Sequence, residues 1–473
     1  MIDTKALRSR ILDLAIQGKL TEQLESDGTA QDIIANLPPV SAKRKTLLKK
    51  SFEYDDLYDI PNNWSMIELG KISSYGDSPI KAMVSDTTAD TWLLELEDIK
   101  SGGILLNKKR VGTSTSIGEK TVFKKNQILY SKLRPYLKKV LIADENGIST
   151  PELISFDVFC GINPQYIVYC LTNDFVDKMI NNRSYGVKMP RVDVGFMVNL
   201  PIPLPPLAEQ KRIVERVEEI FRLLDTIDEA QEKYSADSQI LKAKLITAGI
   251  QGKLTKQLES DGTAHELYQK IQEEKQKLIK EGKLKKEKPL PPISPDEIPF
   301  EIPQNWMWVR INDIFAVGTG STPSKNEKKY YNGGDIPWVN SALTVNRYIE
   351  KVNTYITEYA LNSLNLKLYA EHTLIIAMYG EGKTRGQISE LLIPATTNQA
   401  CAALSSIIYH QETINYVFYF FQNYYDSLRA LAHGGNQPNL NLQKIKDVLI
   451  PLPPLAEQKR IADVLERALG VFE

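Results

Sequence analysis

The stretch PLPPLAEQKRI occupies residues 203–213 and stands again, letter for letter, at 451–461. Two further segments recur in the same order. IQGKLTEQLESDGTA (16–30) returns as IQGKLTKQLESDGTA (250–264), differing only at Glu22 against Lys256, and DIPNNW (59–64) returns as EIPQNW (301–306). The chain is therefore a tandem duplication of a unit of about 240 residues, far longer than a solenoid repeat. Between these landmarks the halves differ. Both inserts are rich in β-branched and aromatic residues with frequent turn signals, as in VFKKNQILYSKL and NSLNLKLYAEHTLIIAMYGEG, with helical patterning in YVFYFFQNYYDSLRAL. Each reads as a mixed domain of short strands and some helix. A frame that repeats around contents that vary suits one scaffold with two readers.

The repeated frame carries a helix. After PLPP, the residues Ile213, Val217, Ile220, Leu224 and Ile227 fall four and three apart, the spacing of a coiled-coil seam. The register continues through Gln231, Tyr234, Ser238, Leu241, Leu245 and Ala248. Pro205 and Pro206 punctuate its start and Gly249 and Gly252 its end, predicting a helix of about 40 residues and about 60 Å. The second copy runs only to Glu473, the counterpart of Asp225, and Met1 corresponds to Ser235. The two chain ends together rebuild the central helix except for nine positions, 226–234. The expected molecule is a ring opened within one of two connectors. It is α+β and pseudo-two-fold, with two mixed α/β recognition domains and two long antiparallel helical connectors. The expected boundaries are 1–60 for the N-terminal half-connector, 61–200 for the first variable domain and 201–302 for the central connector. The second variable domain follows at 303–450 and the C-terminal helix at 451–473.

Composition narrows the function. No apolar run approaches the length of about 18 residues that a membrane helix needs, and the N-terminus has no uninterrupted apolar core. Cys160, Cys170 and Cys401 form no framework, and four scattered histidines give no metal spacing. A reducing compartment, no membrane and no bound metal are expected. The net charge of −1 hides a local excess, because residues 100–139 hold eleven lysines and arginines against one acid, Glu119. Such a run attracts phosphates, unless it is merely a solvated surface.

The duplicated PLPPLAEQKRI after each variable domain, the IQGKLT helix end with its DGTA stretch, and EKPLPPISPDEIPFEIPQNW together resemble the specificity (S) subunits of Type I DNA restriction–modification systems. GSTPSKNEKKYYNGGDIPWVNSAL (320–343) and the TRGQ and TTNQA segments between 384 and 400 are similar to family segments as well. The resemblance covers essentially the whole chain. It implies a non-catalytic subunit in which each variable domain reads one half of a bipartite sequence in double-stranded DNA. The helices would fix the spacer and seat two adenine-N6 methyltransferase (M) subunits, and restriction/translocase (R) subunits would complete the enzyme. It also implies no cofactor on this chain, with S-adenosylmethionine, ATP and Mg on the partner subunits, and a bacterial or archaeal cytoplasmic location. Two readers on one face of the duplex place the half-sites roughly one turn, about 10 bp, apart.

Candidate DNA contacts follow from residue chemistry. SKLRPYLKK gathers Lys132, Arg134, Tyr136, Lys138 and Lys139 without an acid, suited mainly to phosphates. YGEGKTRGQ sets Lys383 and Arg385 on a glycine-rich loop that can approach a backbone closely. RSYGVKMPRVDV (183–194) aligns with ALAHGGNQPNLNL (430–442), pairing Gly186 with Gly434 and Pro190 with Pro438. Between these fixed residues the tips vary. Arg183, Lys188 and Arg191 match the guanine edge; Asn436, Gln437 and Asn439 match adenine. The bland alternative for each is an ordinary turn or a solvated hairpin end. Two rival functions each fit part of the sequence. AMYGEGKT (377–384) fits a relaxed phosphate-loop pattern, but Gly386 and Pro394 leave little room for the helix that a nucleotide hydrolase requires. A coiled-coil adaptor that binds no DNA is compatible with the frame, but not with the divergence and charge of the inserts. The Asn/Asp-Pro-Pro-Tyr/Phe motif of an adenine methyltransferase is absent.

Overall fold

A computed structural model describes residues 1–48, 59–288, 290–380, 382–432 and 439–472. The chain divides into two compact units, Met1–Lys233 and Tyr234–Glu473. The recurring segments form the scaffold of each unit because their residues bond to one another. In the first unit the strand Ser65–Glu68 pairs antiparallel with Pro201–Leu204. In the second, Met307–Arg310 pairs with Leu449–Leu452 in the same register. A two-stranded ladder tolerates these prolines, since each strand has an unpaired edge.

The PLPPLAEQ segment leaves this ladder and opens a helix, which buries Glu209 and Gln210 completely. The Glu209 carboxylate accepts the Trp64 indole N–H at 2.8 Å and the Thr21 hydroxyl at 3.1 Å. Gln210 donates to the Pro205 carbonyl and accepts the Asn163 backbone N–H, both at 2.9 Å. The second unit repeats the arrangement. Glu457 accepts from Trp306 at 2.8 Å and Thr255 at 3.0 Å, and Gln458 donates to the Pro453 carbonyl at 2.8 Å. Arg212 pairs with Asp27 at 2.9 Å, and Arg460 with Asp261 at 2.8 Å.

A terminal helix completes each scaffold. Thr4–Ile16, N-capped by Asp3, runs antiparallel to the start of the long helix Leu207–Ile250. Thr4 reaches Asp228 at 2.5 Å, and Arg8 reaches Asp225 at 2.7 Å. In the second unit Leu455–Gly470 runs antiparallel to the other end of that helix. Gly249 leaves room for the side chains of Ile461 and Leu465, and the Lys242 ammonium sits 5.7 Å from the centre of the Phe472 ring. The long helix has 44 residues, and its register departs from expectation. Tyr234 (56% exposed) and Leu241 (46%) are solvated, whereas Ile246 (7%) and Ile250 (4%) are buried. The expected seam residue Leu245 is half-buried beside them, against the core of the second unit. Without an unbroken apolar seam to impose a supercoil, a helix drifts from a 3.5 repeat.

The inserts, so different in sequence, share a fold. Ile128–Ser131 pairs antiparallel with Leu153–Phe156, placing Ile128 opposite Phe156. Leu374–Ala377 pairs antiparallel with Cys401–Ser406, placing Leu374 opposite Leu404. The helix Pro164–Thr172 follows in the first unit and Gln411–Asn423 in the second. Tyr166 donates to the Pro203 carbonyl at 2.6 Å, and Tyr416 to the Pro451 carbonyl at 2.8 Å, tying each insert to its PLPP segment. The corresponding strands are central in both cases, Ile128–Ser131 in a three-stranded sheet and Leu374–Ala377 in a five-stranded one. The architecture is α+β, two mixed units on a helical scaffold.

The arginine–aspartate pairs carry a pH dependence. The Arg212 hydrogen bond and charge hold Asp27 below its ordinary value of 3.8, although burial opposes this. A depressed carboxylate contributes stability that is fully present above its unfolded value and is lost as pH falls through the folded one. The R212M variant is therefore expected to melt below wild type at pH 7. Melting curves between pH 7 and pH 2 check this: the gap should close below about pH 4. A gap that is constant with pH would assign no role to the ion pair.

Candidate nucleic-acid interface

In both units a loop leaves the strand Ile128–Ser131 or its counterpart Leu374–Ala377, and a second loop is bonded to its start. In the first unit the Val192 N–H donates to the Lys132 carbonyl at 3.0 Å. In the second, the aligned Leu440 N–H donates to the Met378 carbonyl at 3.3 Å. SKLRPYLKK and YGEGKTRGQ thus follow corresponding strands, each strand end bonded to the residues that lead into its PLPP segment.

The first-unit loop closes with the Ser131 N–H on the Lys139 carbonyl at 3.0 Å and turns through Pro135–Leu137. Arg134 and Lys138 take left-handed backbone conformations. The Arg134 N–H donates to the Pro190 carbonyl at 2.7 Å, and reciprocal bonds between Tyr185 and Arg191 close a hairpin around residues 186–190. These bonds bring Lys132, Arg134 and Tyr136 together with Arg183, Lys188 and Arg191.

Their side chains fall into two groups. Lys132, Arg183 and Lys188 make no ion pair among the described residues, and Tyr136 is half exposed. The Arg134 Nε is buried and has no hydrogen-bond partner among them. The other three face inward. Lys138 donates to Asp174 at 2.5 Å and to the Thr172 carbonyl at 2.8 Å. Lys139 donates to the Leu96 carbonyl at 2.6 Å, and burial together with the Arg134 charge pulls it below the usual lysine range. Arg191 forms a 2.9 Å ion pair with Glu152.

The basic run 100–139 is correspondingly weaker in space than in sequence. Lys108 pairs with Asp144 and Glu145, Lys109 with Glu97 and Asp98, Arg110 with Glu145, and Lys120 with Glu95. The acids come from neighbouring turns, at residues 95–98 and 144–145. Among the described residues, the cations of the run without an acidic partner are Lys100, Lys124, Lys125, Lys132, Arg134 and Lys139, the last of which bonds to a carbonyl.

In the second unit Lys383 is exposed, and its carbonyl accepts the Tyr425 hydroxyl at 2.6 Å. Arg385 reaches the Gly380 carbonyl at 3.3 Å, and Arg429 braces the loop by donating to the Arg385 carbonyl at 3.0 Å. Gly380, Gly382 and Gly386 all have positive φ, which the tight loop requires. Asn439 is half-buried, and Asn436 and Gln437 lie outside the described residues. The bracing Arg429 and the exposed Tyr185 were not singled out from sequence. Only the folded contacts mark them. The phosphate-loop pattern connects two antiparallel strands, Leu374–Ala377 and Ile388–Leu391, with no helix between them among the described residues.

The model of the Type I restriction modification DNA specificity domain matches residues 49–234 and 303–470, once in each half. The chain belongs to this family. The specificity-domain repeat accounts for both loop pairs, since each match ends after a PLPP segment. The chain is 23% identical over 549 aligned positions to the Type I restriction enzyme EcoAI specificity subunit of Escherichia coli, covering 98% of this chain and 89% of that protein. Its fold is similar to a chain from a structural study of complex assembly and conformational transition of the type I R-M system. That likeness has a TM-score of 0.66 and 17% identity, over 88% of this chain and 93% of the other. It is also similar to the HsdS subunit from Thermoanaerobacter tengcongensis, with a TM-score of 0.53 and 17% identity over 88% and 92%. Among the described residues no helix is long and apolar enough to cross a membrane.

Proposed function

We propose that this chain is the DNA-reading subunit of a Type I restriction–modification complex and that its two units read the two unlike halves of an asymmetric, bipartite target. The observation carrying this reading is the recurrence of one loop pair on one strand framework with different side chains at the tips. Lys132, Arg134, Arg183 and Lys188 stand in the first unit; Lys383 and Arg385 stand in the second, where the sequence aligned with Val187, Lys188 and Met189 reads Gly435, Asn436 and Gln437. Unpaired cations hold phosphates, and the variable tips meet base edges. The chain itself carries out no chemistry in this reading. Two N6-adenine methyltransferase subunits seat on the helical scaffold, restriction/translocase subunits join them, and S-adenosylmethionine, ATP and Mg belong to those partners. The complex works in the cytoplasm, where its substrate lies.

The test is a genome-wide map of N6-methyladenine in cells expressing the chain with its methyltransferase, against cells lacking only this chain. A new two-part motif with a fixed gap is expected. Exchanging residues 64–200 for those of another family member is expected to change one half of that motif. A map without a motif, although both proteins are made, would overturn the reading, and a change in both halves would overturn its modularity.

A further inference from the structure

The tip of the first-unit hairpin is apolar, which phosphate binding does not explain. Val187 is fully exposed, and Tyr185 and Met189 are more than half exposed, so none of the three serves the core. The tip is nevertheless held in shape. Tyr185 and Arg191 exchange backbone hydrogen bonds at 2.9 and 2.8 Å, and Gly186 takes a positive φ, at which an added Cβ would crowd the Met189 carbonyl at 3.2 Å. The Arg134 N–H anchors the Pro190 carbonyl, which keeps the apolar tip beside a cationic loop. An exposed apolar tip tied to the segments that carry Lys132, Arg134, Arg183 and Lys188 is complementary to a surface that offers phosphates beside apolar groups.

We propose that Val187 and Met189 enter the major groove of the first half-site and read thymine by its 5-methyl group. This deepens the DNA-reading assignment above and rests on it. The groove follows from dimensions. Two paired strands lie about 4.8 Å apart before side chains are added, too wide for a minor groove of about 6 Å but well inside a major groove of about 12 Å. The base follows from chemistry. Valine and methionine side chains offer no donor, so the group in the major groove that they distinguish is the thymine methyl. At the aligned positions the second unit has Gly435, Asn436 and Gln437, so methyl reading belongs to one half only.

Replacing thymine by deoxyuridine removes that methyl and leaves the hydrogen-bonding edge intact. The full-length chain with its methyltransferase subunits is titrated with duplexes carrying the mapped target, each thymine of the first half replaced in turn. The half is identified by the 64–200 exchange. Wild type is expected to lose about fourfold in affinity at one or more of these thymines and nothing in the second half. The V187S/M189S variant is expected to bind the thymine duplex correspondingly more weakly, to be indifferent to the replacement, and to keep the wild-type salt dependence. I117S, which alters an exposed apolar residue elsewhere in the unit, serves as the control and should match wild type. Wild-type binding indifferent to every replacement in the first half would overturn methyl reading alone, as would a V187S/M189S variant that keeps the sensitivity. A wild-type complex that binds no duplex would overturn the DNA-reading assignment together with it.

Discussion

Replacing Trp64 by alanine is expected to destabilise the first unit by about 3–5 kcal/mol, measured by urea unfolding followed with circular dichroism. Two losses combine. The indole is buried, packs edge-on against Tyr166 at 6.5 Å between ring centres, and leaves a cavity when truncated. Its N–H is also the 2.8 Å donor to Glu209, a fully buried carboxylate. Burial already pushes the Glu209 carboxyl above its ordinary value, against hydrogen bonds from Trp64, Gln23 and Thr21 that lower it. Removing one donor from such a group leaves a desolvation cost uncompensated. W64F separates the two losses, since it keeps most of the ring but not the donor; about 1–3 kcal/mol is expected. W306A should behave alike in the second unit through Glu457. A loss below about 1 kcal/mol for W64A would show that the frame does not depend on this contact.

The second large effect concerns DNA. The variant K132Q/R134Q/R183Q/K188Q is expected to lose on the order of a hundredfold to a thousandfold in affinity for target duplex near physiological salt. The slope of log affinity against log salt should shrink by about 0.9 for each phosphate contact removed. K108Q/K109Q/K120Q alters three lysines of the same basic run, yet should change the slope little, because their ammonium groups already pair with Asp144, Glu97, Asp98 and Glu95. Equal losses in the two variants would mean that total charge matters and the loop pair does not. Filter binding or fluorescence anisotropy over a salt series decides between them.

The scaffold of this protein was legible in its sequence because the repeated residues are one another's partners. Trp64 and Glu209, Thr21 and Glu209, and Arg212 and Asp27 all lie within recurring segments, and so do Trp306, Thr255, Glu457, Arg460 and Asp261. Residues that bond mutually recur together, so two copies of the letters announce two copies of the contacts. The long helix was visible for a related reason, as apolar spacing bounded by proline and glycine. Its expected seam breaks at Tyr234 and Leu241, which are solvated, because a polar middle does not hold a seam at 3.5 residues per turn.

Other features belonged to the tertiary structure alone. The common fold of the two inserts rests on backbone ladders, which need apolar burial but no particular letters. Ile128, Leu129 and Tyr130 therefore fill one strand where Leu374, Ile375 and Ile376 fill the other. The bonds from Arg134 to Pro190 and from Leu440 to Met378 join loops some 50 to 60 residues apart through main-chain atoms, which leave no mark in composition. The surface charge was decided in the same way. Asp144, Glu145 and Asp174 lie outside the basic run in sequence but beside it in space. A sequence sums charge along the chain, whereas a phosphate responds only to the cations that folding leaves unpaired.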